Sequence, residues 1–440
     1  MSGFFSRLDK KYLLLVPGVM YATWPWLSYR MPTIIPFSFF LVWFLLALGN
    51  KDINFVGKAR FHARFVGVFI LFCMFSYMGN MFALIGHGEY VRWFEYATTG
   101  FAISHFVVIH YSFKQGKFNE IGFLTIVALI GISLAGIGAV HGGMIEGFEG
   151  GRALTTAVDV FHTGEAIDNI IMARTIGSAN YGATYAFALF FIPILFMMLE
   201  VKRPALRFLS IVASISILLV IKNSGLGTPV FVMVLGCLYF FATRVGARPR
   251  FIIAMSVLTS LFLIVFAYNQ RILSFVTPLP KAIGVLFEEG SSIRVRCESV
   301  ANALQGDEYT YAASRYKLQA QSMDAFFEHP LLGVGMYRTP HPKAFLVGGH
   351  SCLLDRLGQA GILGGILYFA FLIGLYRYYV QLCLCFGFDR RWLSIPLSVM
   401  ACYIFACIAN PSPTYPGILY YIPGVFLLVA RYGKRRMPVL

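Results

Sequence analysis

The chain has 440 residues, of which 58% are hydrophobic and only 13% are charged, and its mean hydropathy is +0.70. A soluble globular protein carries about 25% charged residues, so this composition excludes an ordinary soluble domain. The formal net charge is +16. Such a charge suits nucleic-acid binding in general, but here the basic residues are distributed as membrane-topology signals, and we predict no nucleic-acid partner.

Apolar runs long enough to cross a bilayer as a helix, which takes about 20 residues, recur along the whole chain. They predict twelve spans, near 12–28, 32–48, 65–85, 92–112, 121–142, 180–199, 206–221, 227–243, 250–268, 351–380, 392–410 and 414–431. Pro17 and Pro25 interrupt the first span, and the span 351–380 is long enough to be tilted or partly outside the membrane. The runs lack the alternation of a β-barrel. The predicted fold is an all-α polytopic membrane protein, with residues 1–440 forming one integral membrane domain.

Basic residues mark one side of the predicted membrane domain. With an even number of spans both termini share a side, and the loops on that side are basic and nearly free of acids. The basic positions there are Arg7, Lys10, Lys11, Lys51, Lys58, Arg60, Arg64, Lys114, Lys117, Lys202, Arg203, Arg207, Arg244, Arg248, Arg250, Arg377, Arg390, Arg391, Arg431, Lys434, Arg435 and Arg436. Because cytoplasmic loops carry the excess of Lys and Arg, we predict that both termini are cytoplasmic.

Two long loops then fall on the outer side of the membrane, at about 143–179 and 269–350. Within the second loop, residues 312–327 have the three- and four-residue spacing of an amphipathic helix, which His329–Pro330 would end. The outer loops also hold basic residues, against the topological bias. We expect some of these cations to bind an anionic ligand.

Gly348, Gly349 and His350 stand at the outer mouth of the apolar run 351–380. An ionisable residue in this position is a functional-site candidate. The positive end of a helix dipole disfavours imidazolium and favours anions, and a general base near neutral pH needs an uncharged imidazole. The alternative is a histidine that caps the helix or anchors it at the interface, and Ser351 could itself be the N-cap.

Three further residues of this run carry information. Asp355 lies inside the span, where a lone carboxylate needs a partner. Gly361 and Gly364 follow, and both allow the close approach of another backbone.

Three outer cations suit an anionic ligand. Arg174 precedes the sixth predicted span, where its planar fork of donors fits a pyrophosphate, and Asn180 could cap the helix that follows. Arg315 lies on the amphipathic segment, and Lys222 lies at the outer end of the seventh span. The alternatives are snorkelling side chains for Arg174 and Lys222 and a solvated helix face for Arg315.

The sequence contains no phosphate-binding glycine loop, no zinc-protease motif and no outer acids at metal-ligand spacing. Cys383 and Cys385 form a Cys-x-Cys without a second pair or a nearby histidine. We therefore predict that the protein uses neither a metal nor another cofactor.

His350–Ser351, followed after nine residues by the segment 361–364, is similar to the signature of the O-antigen ligase and O-antigen polymerase superfamily. In that family, His followed by Asn, Ser or Gln precedes a Gly-x-x-Gly at this spacing. The upstream segments 174–180 (RTIGSAN), 314–315 (SR) and 329–335 (HPLLGVG) resemble further family motifs in the same order.

The resemblance covers roughly residues 170 to 375, and the chain departs from it in places. The family's central Ser-Arg-Gly is replaced by the segment 223–227 (NSGLG), which has no arginine, so Lys222 could substitute. Asn180 comes one position early and is followed by tyrosine, and Gln359 stands where the family often has an acid.

The resemblance implies a metal-independent, inverting glycosyl transfer at the periplasmic face of a bacterial inner membrane. The donor would be a glycan on undecaprenyl pyrophosphate, and the acceptor a hydroxyl of a glycan or of the lipid A-core. His350 would take the acceptor's proton, while Arg174, Arg315 and Lys222 would bind the donor pyrophosphate. The supporting residues would be Asn180, Ser351, Asp355, Gly361 and Gly364.

Two readings remain beside the preferred O-antigen ligase, which joins finished polymer to lipopolysaccharide core. The first is an O-antigen, capsule or exopolysaccharide polymerase, which could work with a chain-length regulator. The second, from a different class, is a transporter or flippase for a lipid-linked oligosaccharide, because twelve spans and intramembrane charges suit a transporter too.

Overall fold

The computed structural model of the protein describes residues 8–32, 34–49, 104–113, 115–143, 181–224, 227–244, 278–286, 294, 297–298, 301–302, 311–334, 351–388, 390–409 and 420–433. Nearly all of these residues are helical. They contain no β-strand, and Val201 and Gly433 form an isolated antiparallel bridge. The helices are α1 (Val16–Thr23), α2 (Pro25–Arg30), α3 (Ile34–Gly49), α4 (Phe118–Gly143), α5 (Tyr181–Glu200), α6 (Pro204–Asn223), α7 (Gly227–Arg244), α8 (Pro278–Val285), α9 (Tyr311–Glu328), α10 (Cys352–Cys385), α11 (Ser394–Ala409) and α12 (Ile422–Tyr432), with 3-10 helices at Lys10–Leu15 and Arg390–Leu393.

The protein is an all-α protein with helices suited to a membrane. Four helices, α4, α5, α6 and α10, are long and apolar enough to cross a bilayer, and α3, α7, α11 and α12 are shorter apolar helices. Large hydrophobic side chains also cover the outside of the bundle, for example Ile137, Phe208 and Leu238. A helix that is apolar on its outer face as well as its inner face is typical of a membrane span. The predicted all-α membrane class is confirmed at this level.

Helix α5 lies at the centre of the bundle. It is the most deeply buried of the four long apolar helices, and it packs against α6, α7, α11 and α12. Its aromatic residues Phe187, Phe190 and Phe196 are completely buried. Small residues allow neighbouring helices to approach closely, as membrane helices require: a Cβ on Gly136 of α4 would lie 2.5 Å from the Cβ of Ser216 on α6.

A cluster of polar contacts ties several helix ends together at one end of the bundle. Lys117 donates to the carboxylate of Asp9 over 2.8 Å, and the Asp9 backbone N–H donates to Glu120. Arg431 donates to the side chain of Asn119, and the backbone of Lys202 donates to Tyr432. The N-terminal segment, two interhelical loops and the last helix therefore end on the same side; we call this the basic end.

Helix directions define the opposite end of the bundle. Helices α4 and α6 both run from the basic end to the opposite end, where the side chain of Asn223 at the end of α6 donates to the carbonyl of Ala139 near the end of α4. At the same end, Ser351 at the start of α10 donates to the carbonyl of Cys407 near the end of α11 over 3.4 Å. The start of α10 thus lies away from the basic end.

The described helices match the predicted spans closely in the middle of the chain. Helices α4 to α7 begin and end within three residues of the predicted boundaries. The predicted span 12–28 is instead three short helices, because Trp24 adopts an extended conformation before Pro25. The predicted spans 65–85 and 250–268, most of 92–112 and the loop 143–179 lie outside the described residues.

The charge of Asp9 contributes a small, pH-dependent part of the stability. Burial alone would raise the pKa of the Asp9 carboxyl, but the hydrogen bonds from Lys117 and from the Lys11 backbone hold that pKa below its usual value. Replacing Asp9 with Asn keeps one acceptor oxygen for the Lys11 N–H but removes the charge and the second acceptor oxygen, which faces Lys117. We expect Asp9→Asn to lower the free energy of unfolding by about 0.5 kcal/mol at pH 7, measured by thermal unfolding in detergent.

The pH dependence gives this prediction its sign. A carboxyl whose pKa is depressed in the folded state stabilises the fold above the unfolded pKa, and it loses that effect as the pH falls through the folded pKa. The difference between wild type and Asp9→Asn should therefore shrink below about pH 4. Glu298→Gln, which removes an exposed ion pair with Arg294, is the control. An Asp9→Asn effect that is constant from pH 7 to pH 3 would contradict the assignment.

Candidate functional site

The structure describes part of the predicted site. His350, Arg174 and Asn180 lie outside the described residues, so their assignments stay predictions. Arg315 lies within α9, where its backbone is helical. The predicted site residues whose surroundings are described are Lys222, Ser351, Asp355, Gly361 and Gly364.

Ser351 is the N-cap of α10. Its backbone is extended, and its hydroxyl accepts a hydrogen bond from the backbone N–H of Leu354 over 3.3 Å. The same hydroxyl donates to the carbonyl of Cys407. Ser351 is completely buried. The cap therefore marks the beginning of α10 and also fixes that beginning against α11. The predicted capping role is confirmed.

Asp355 has the partner that a buried carboxylate needs. The hydroxyl of Ser322, on α9, donates to Asp355 Oδ1 over 2.6 Å. Ser322 is completely buried and Asp355 is 6% exposed. A charged acceptor in such surroundings strengthens the hydrogen bond, and leaving the carboxylate without donors would be costly. The bond joins α9 to the first turn of α10.

Helix α10 is sharply broken at Gly361. The backbone there has φ 60° and ψ −162°, a conformation that is essentially restricted to glycine. An unbroken helix would hold the Cα atoms of Cys352 and Tyr368 about 24 Å apart, yet the Cys352 thiol lies 3.9 Å from the Tyr368 hydroxyl. The segment 352–360 therefore folds back beside the segment 362–385, where the sequence predicted one long span.

A tight loop, residues 329–334, fills the break. The backbone N–H of Ile362 donates to Pro330 over 2.8 Å, that of Leu363 donates to Leu331, and that of Val334 donates to Gly358 over 3.0 Å. These bonds satisfy backbone groups that the break removes from the helical pattern. Each would otherwise be left without a partner in an apolar setting, which is costly.

Two glycines make this contact possible. Gly333 has φ +69°, and a Cβ there would lie 2.5 Å from the backbone nitrogen of Ala360. A Cβ on Gly361 would lie 2.6 Å from the backbone nitrogen of Leu332. Each glycine thus lies against the two residues that precede the other glycine in the chain. We call the pair the glycine interlock. The prediction of close backbone approach is confirmed at Gly361.

The glycine interlock and the Ser322–Asp355 bond determine how α9 packs. Helix α9 ends at Glu328, one residue before the loop, and the segment 352–360 ends at the break that the loop fills. Both helices therefore run towards the interlock, side by side and parallel. Their N-terminal ends, which lead back to Arg315 and to Ser351, lie on the same side of the Ser322–Asp355 bond.

The remaining predicted residues are Lys222 and Gly364. Lys222 is exposed in the last turn of α6, and α6 packs mainly on α4 and α5. Helices α9 and α10 pack on each other, and α10 also packs on α11. Lys222 precedes Asn223, which lies at the same end of the bundle as Ser351, and the predicted contact of Lys222 with the donor stays a prediction. Gly364 is buried one turn after the break.

Sequence reasoning missed Ser322 as a member of the site. A serine in an amphipathic helix is normally unremarkable, and only its spacing of seven residues from Arg315 could have singled it out. Seven residues are nearly two helical turns, so the two positions share a face. Gly333 stood inside a recognised motif, but its contact with α10 could not be derived from the sequence.

Comparisons with known proteins add no family assignment. The chain matches no model of a known family, and no curated protein matches it. In the described part of the chain no three His, Cys, Asp or Glu side chains are grouped as a metal ion would require, and the use of a metal stays untested. The fold and the site define the class alone, an all-α membrane protein with a broken helix that the segment 329–334 contacts.

The glycine interlock generates a stability prediction. Gly361→Ala would force a side chain into the backbone of the 329–334 loop and into a conformation that alanine rarely adopts. We expect it to lower the free energy of unfolding by about 3 kcal/mol or more, measured by thermal unfolding of the purified protein. Gly116→Ala is the matched control, because Gly116 also has a positive φ but only an atom at 4.0 Å near its Cβ position.

The control separates conformational strain from collision. Gly116→Ala should cost only about 1 kcal/mol from strain. Equal losses for the two variants would mean that the 329–334 loop does not occupy the break.

Proposed function

We propose that the protein is a periplasmic-face glycosyltransferase of the O-antigen ligase and polymerase superfamily. In this proposal it has twelve spans in a bacterial inner membrane, with both termini cytoplasmic. It moves a glycan from undecaprenyl pyrophosphate to a sugar hydroxyl of the lipid A-core, in the manner of an O-antigen ligase. The proposal rests on the ordered motifs of the sequence and on the packing of the outer-loop helix beside the start of α10.

The contacts at the basic end support the proposed orientation. They join the N-terminal segment, the loop after residue 113, the loop 201–203 and the end of α12. These are segments that the positive-inside rule assigns to the cytoplasm. The start of α10 lies at the opposite end, where a periplasmic site would be.

The single observation that carries the proposal is the parallel packing of α9 and the segment 352–360. Arg315 lies seven residues before Ser322, about 10 Å along the helix, and His350 precedes Ser351 directly in the sequence. The Ser322–Asp355 bond sets these two helices at the same level. An arginine for the pyrophosphate and a histidine for the acceptor would thus approach the same point from neighbouring helices.

The chemistry requires no metal in this proposal. The acceptor hydroxyl attacks the anomeric carbon of the donor sugar, the carbon–oxygen bond to the pyrophosphate breaks, and His350 takes the hydroxyl proton. Arg174 and Arg315 stabilise the charge that develops on the departing pyrophosphate, an effect worth a few kcal/mol per well-placed donor. Attack from the face opposite the leaving group gives inversion.

The capped start of α10 supports the base role. Ser351 satisfies the Leu354 N–H, but the positive end of the helix dipole remains directed at the preceding residue. This field favours an uncharged imidazole at His350 and an anion beside it. Both states are the ones that the proposed transfer needs.

A flippase is the second candidate, because of the break in α10. Discontinuous helices are typical of transporters. In transporters, however, the break lines a substrate cavity, whereas here the backbone groups around Gly361 bond to the loop 329–334. Among the described helices, α10 is the one with a non-helical residue inside it, so no matched break in a second repeat supports transport.

His350→Ala tests the base. We expect the variant to insert and to bind undecaprenyl pyrophosphate normally, but to transfer glycan at least about 100-fold more slowly. The measurement uses proteoliposomes and the lipid-linked glycan extracted from cells that lack the protein. His141→Ala is the matched control, since His141 is an exposed histidine near the end of α4, at the same end of the bundle. Unchanged transfer by His350→Ala would exclude the proposed role.

Arg174→Lys tests the pyrophosphate contact. Lysine keeps the charge but loses the two-pronged donor geometry that fits a pyrophosphate. We expect the affinity for undecaprenyl pyrophosphate, measured by native mass spectrometry, to fall about tenfold. Arg294→Lys, at an arginine paired with Glu298 within the same helical turn, should leave it unchanged. Normal affinity in Arg174→Lys would instead identify a snorkelling arginine.

A further inference from the structure

We infer that Asp355 and Ser322 form a positioning clamp, which holds the Arg315 helix in register with the start of α10 so that Arg315 and His350 act on one donor. The inference rests on the proposed function for the identity of the reaction. The clamp itself is argued from contacts between described residues. Neither clamp residue touches the substrate in this account.

Helix α9 is held by partly buried apolar side chains and by one buried polar contact. Of its side chains from 318 to 328, only Ser322 and Ala325 are buried, and the others are partly or fully exposed. Leu318, Met323 and Phe326 are half-buried and give α9 an apolar attachment, which is not directional. The hydrogen bond between Ser322 and Asp355, at 2.6 Å between completely or nearly completely buried residues, is directional and therefore fixes the rotation of the helix.

The glycine interlock alone attaches α9 at only one end. It attaches the C-terminal end of α9 to the break in α10 through the loop 329–334. A helix attached at one end can still swing or rotate about that end. The Ser322–Asp355 bond lies about 9 Å before the end of α9 and supplies a second point of attachment.

The second attachment fixes the face that α9 presents. Arg315 and Ser322 are seven residues apart, so their positions share a face of the helix. Turning Ser322 towards Asp355 therefore also turns the Arg315 position towards the segment that begins at Ser351. A rotation of α9 by one residue would move the Arg315 position by about 100° around the helix axis.

Loss of the clamp should slow the reaction more than it weakens donor binding. Arg174 would still bind the pyrophosphate, but Arg315 would no longer be held where the charge develops. Misplacement of a catalytic contact by about 1 Å can cost about 100-fold in rate. We therefore expect Asp355→Ala to lower kcat on the order of 10- to 100-fold, with less than about a threefold change in donor affinity.

The test compares Asp355→Ala, Asp355→Asn and Ser322→Ala in full-length protein. Asparagine keeps an oxygen that can accept the Ser322 hydrogen bond, so Asp355→Asn should retain most of the activity, whereas Ser322→Ala should behave like Asp355→Ala. Asp324→Asn is the matched control, because Asp324 is an exposed acid on the same helix. If Asp355→Asn were as slow as Asp355→Ala while the amides of 311–328 exchanged at the wild-type rate, the charge and not the bond to Ser322 would matter, and the clamp would be excluded.

A double-mutant cycle with Arg315→Ala separates positioning from general damage. If Asp355 acts through Arg315, Asp355→Ala should cost little further activity once Arg315 is gone. Full additivity of the two losses would overturn the inference.

Hydrogen exchange measures the clamp without reference to any activity. Amides of 311–328 should exchange faster in Asp355→Ala and Ser322→Ala than in wild type and Asp324→Asn, with undecaprenyl pyrophosphate absent. Unchanged exchange excludes the clamp. Faster exchange in a protein whose wild type transfers no glycan would retain the attachment but exclude the proposed function, so the two failures are distinguishable.

Discussion

The structure around the site depends on one constraint, which is that a backbone break in an apolar helix must have its polar groups satisfied. Breaking α10 at Gly361 removes helical partners from the N–H groups of Ile362 and Leu363 and from the carbonyl of Gly358. In a membrane no water is at hand to replace them. The loop 329–334 supplies the missing donors and acceptors, and it does so only because Gly333 and Gly361 carry no side chains.

This constraint links α9 to the long apolar helix α10. The loop follows α9 directly, so that filling the break also brings α9 beside the start of α10. The Ser351 cap then fixes that start against α11, and Ser322 and Asp355 fix the rotation of α9. Helix α9, the break at Gly361 and the Ser351 cap are thus connected to one another. The proposed chemistry uses the geometry of these connected elements.

Much of the fold could be predicted from the sequence because hydrophobic blocks and charges are local signals. The spans that became α4 to α7, the amphipathic helix α9 and its end at His329 follow from periodicity and from Pro330. The capping by Ser351 follows from its residue type and place. The break at Gly361 could not be predicted, since isolated glycines are common inside membrane helices and nothing local distinguishes a straight one from a broken one.

The candidate site also has features that the sequence could predict and features that it could not. Asp355 was recognised as a carboxylate in need of a partner, but that partner lies 33 residues earlier in the chain, and only the packing of two helices selects it. Lys222 was recognised from its charge and its place near a span end, and its part in the site stays a prediction. Residue chemistry proposes members of a site, and long-range contacts decide which of them meet.

The reciprocal contact of Gly333 and Gly361 has an evolutionary consequence. A side chain at either position meets the backbone that surrounds the other, so a mutation at one cannot be accommodated by changing a neighbouring side chain. Relief requires the two chain segments to separate, and after separation the other glycine has no steric reason to persist. We therefore expect the two glycines to be conserved together or replaced together during evolution.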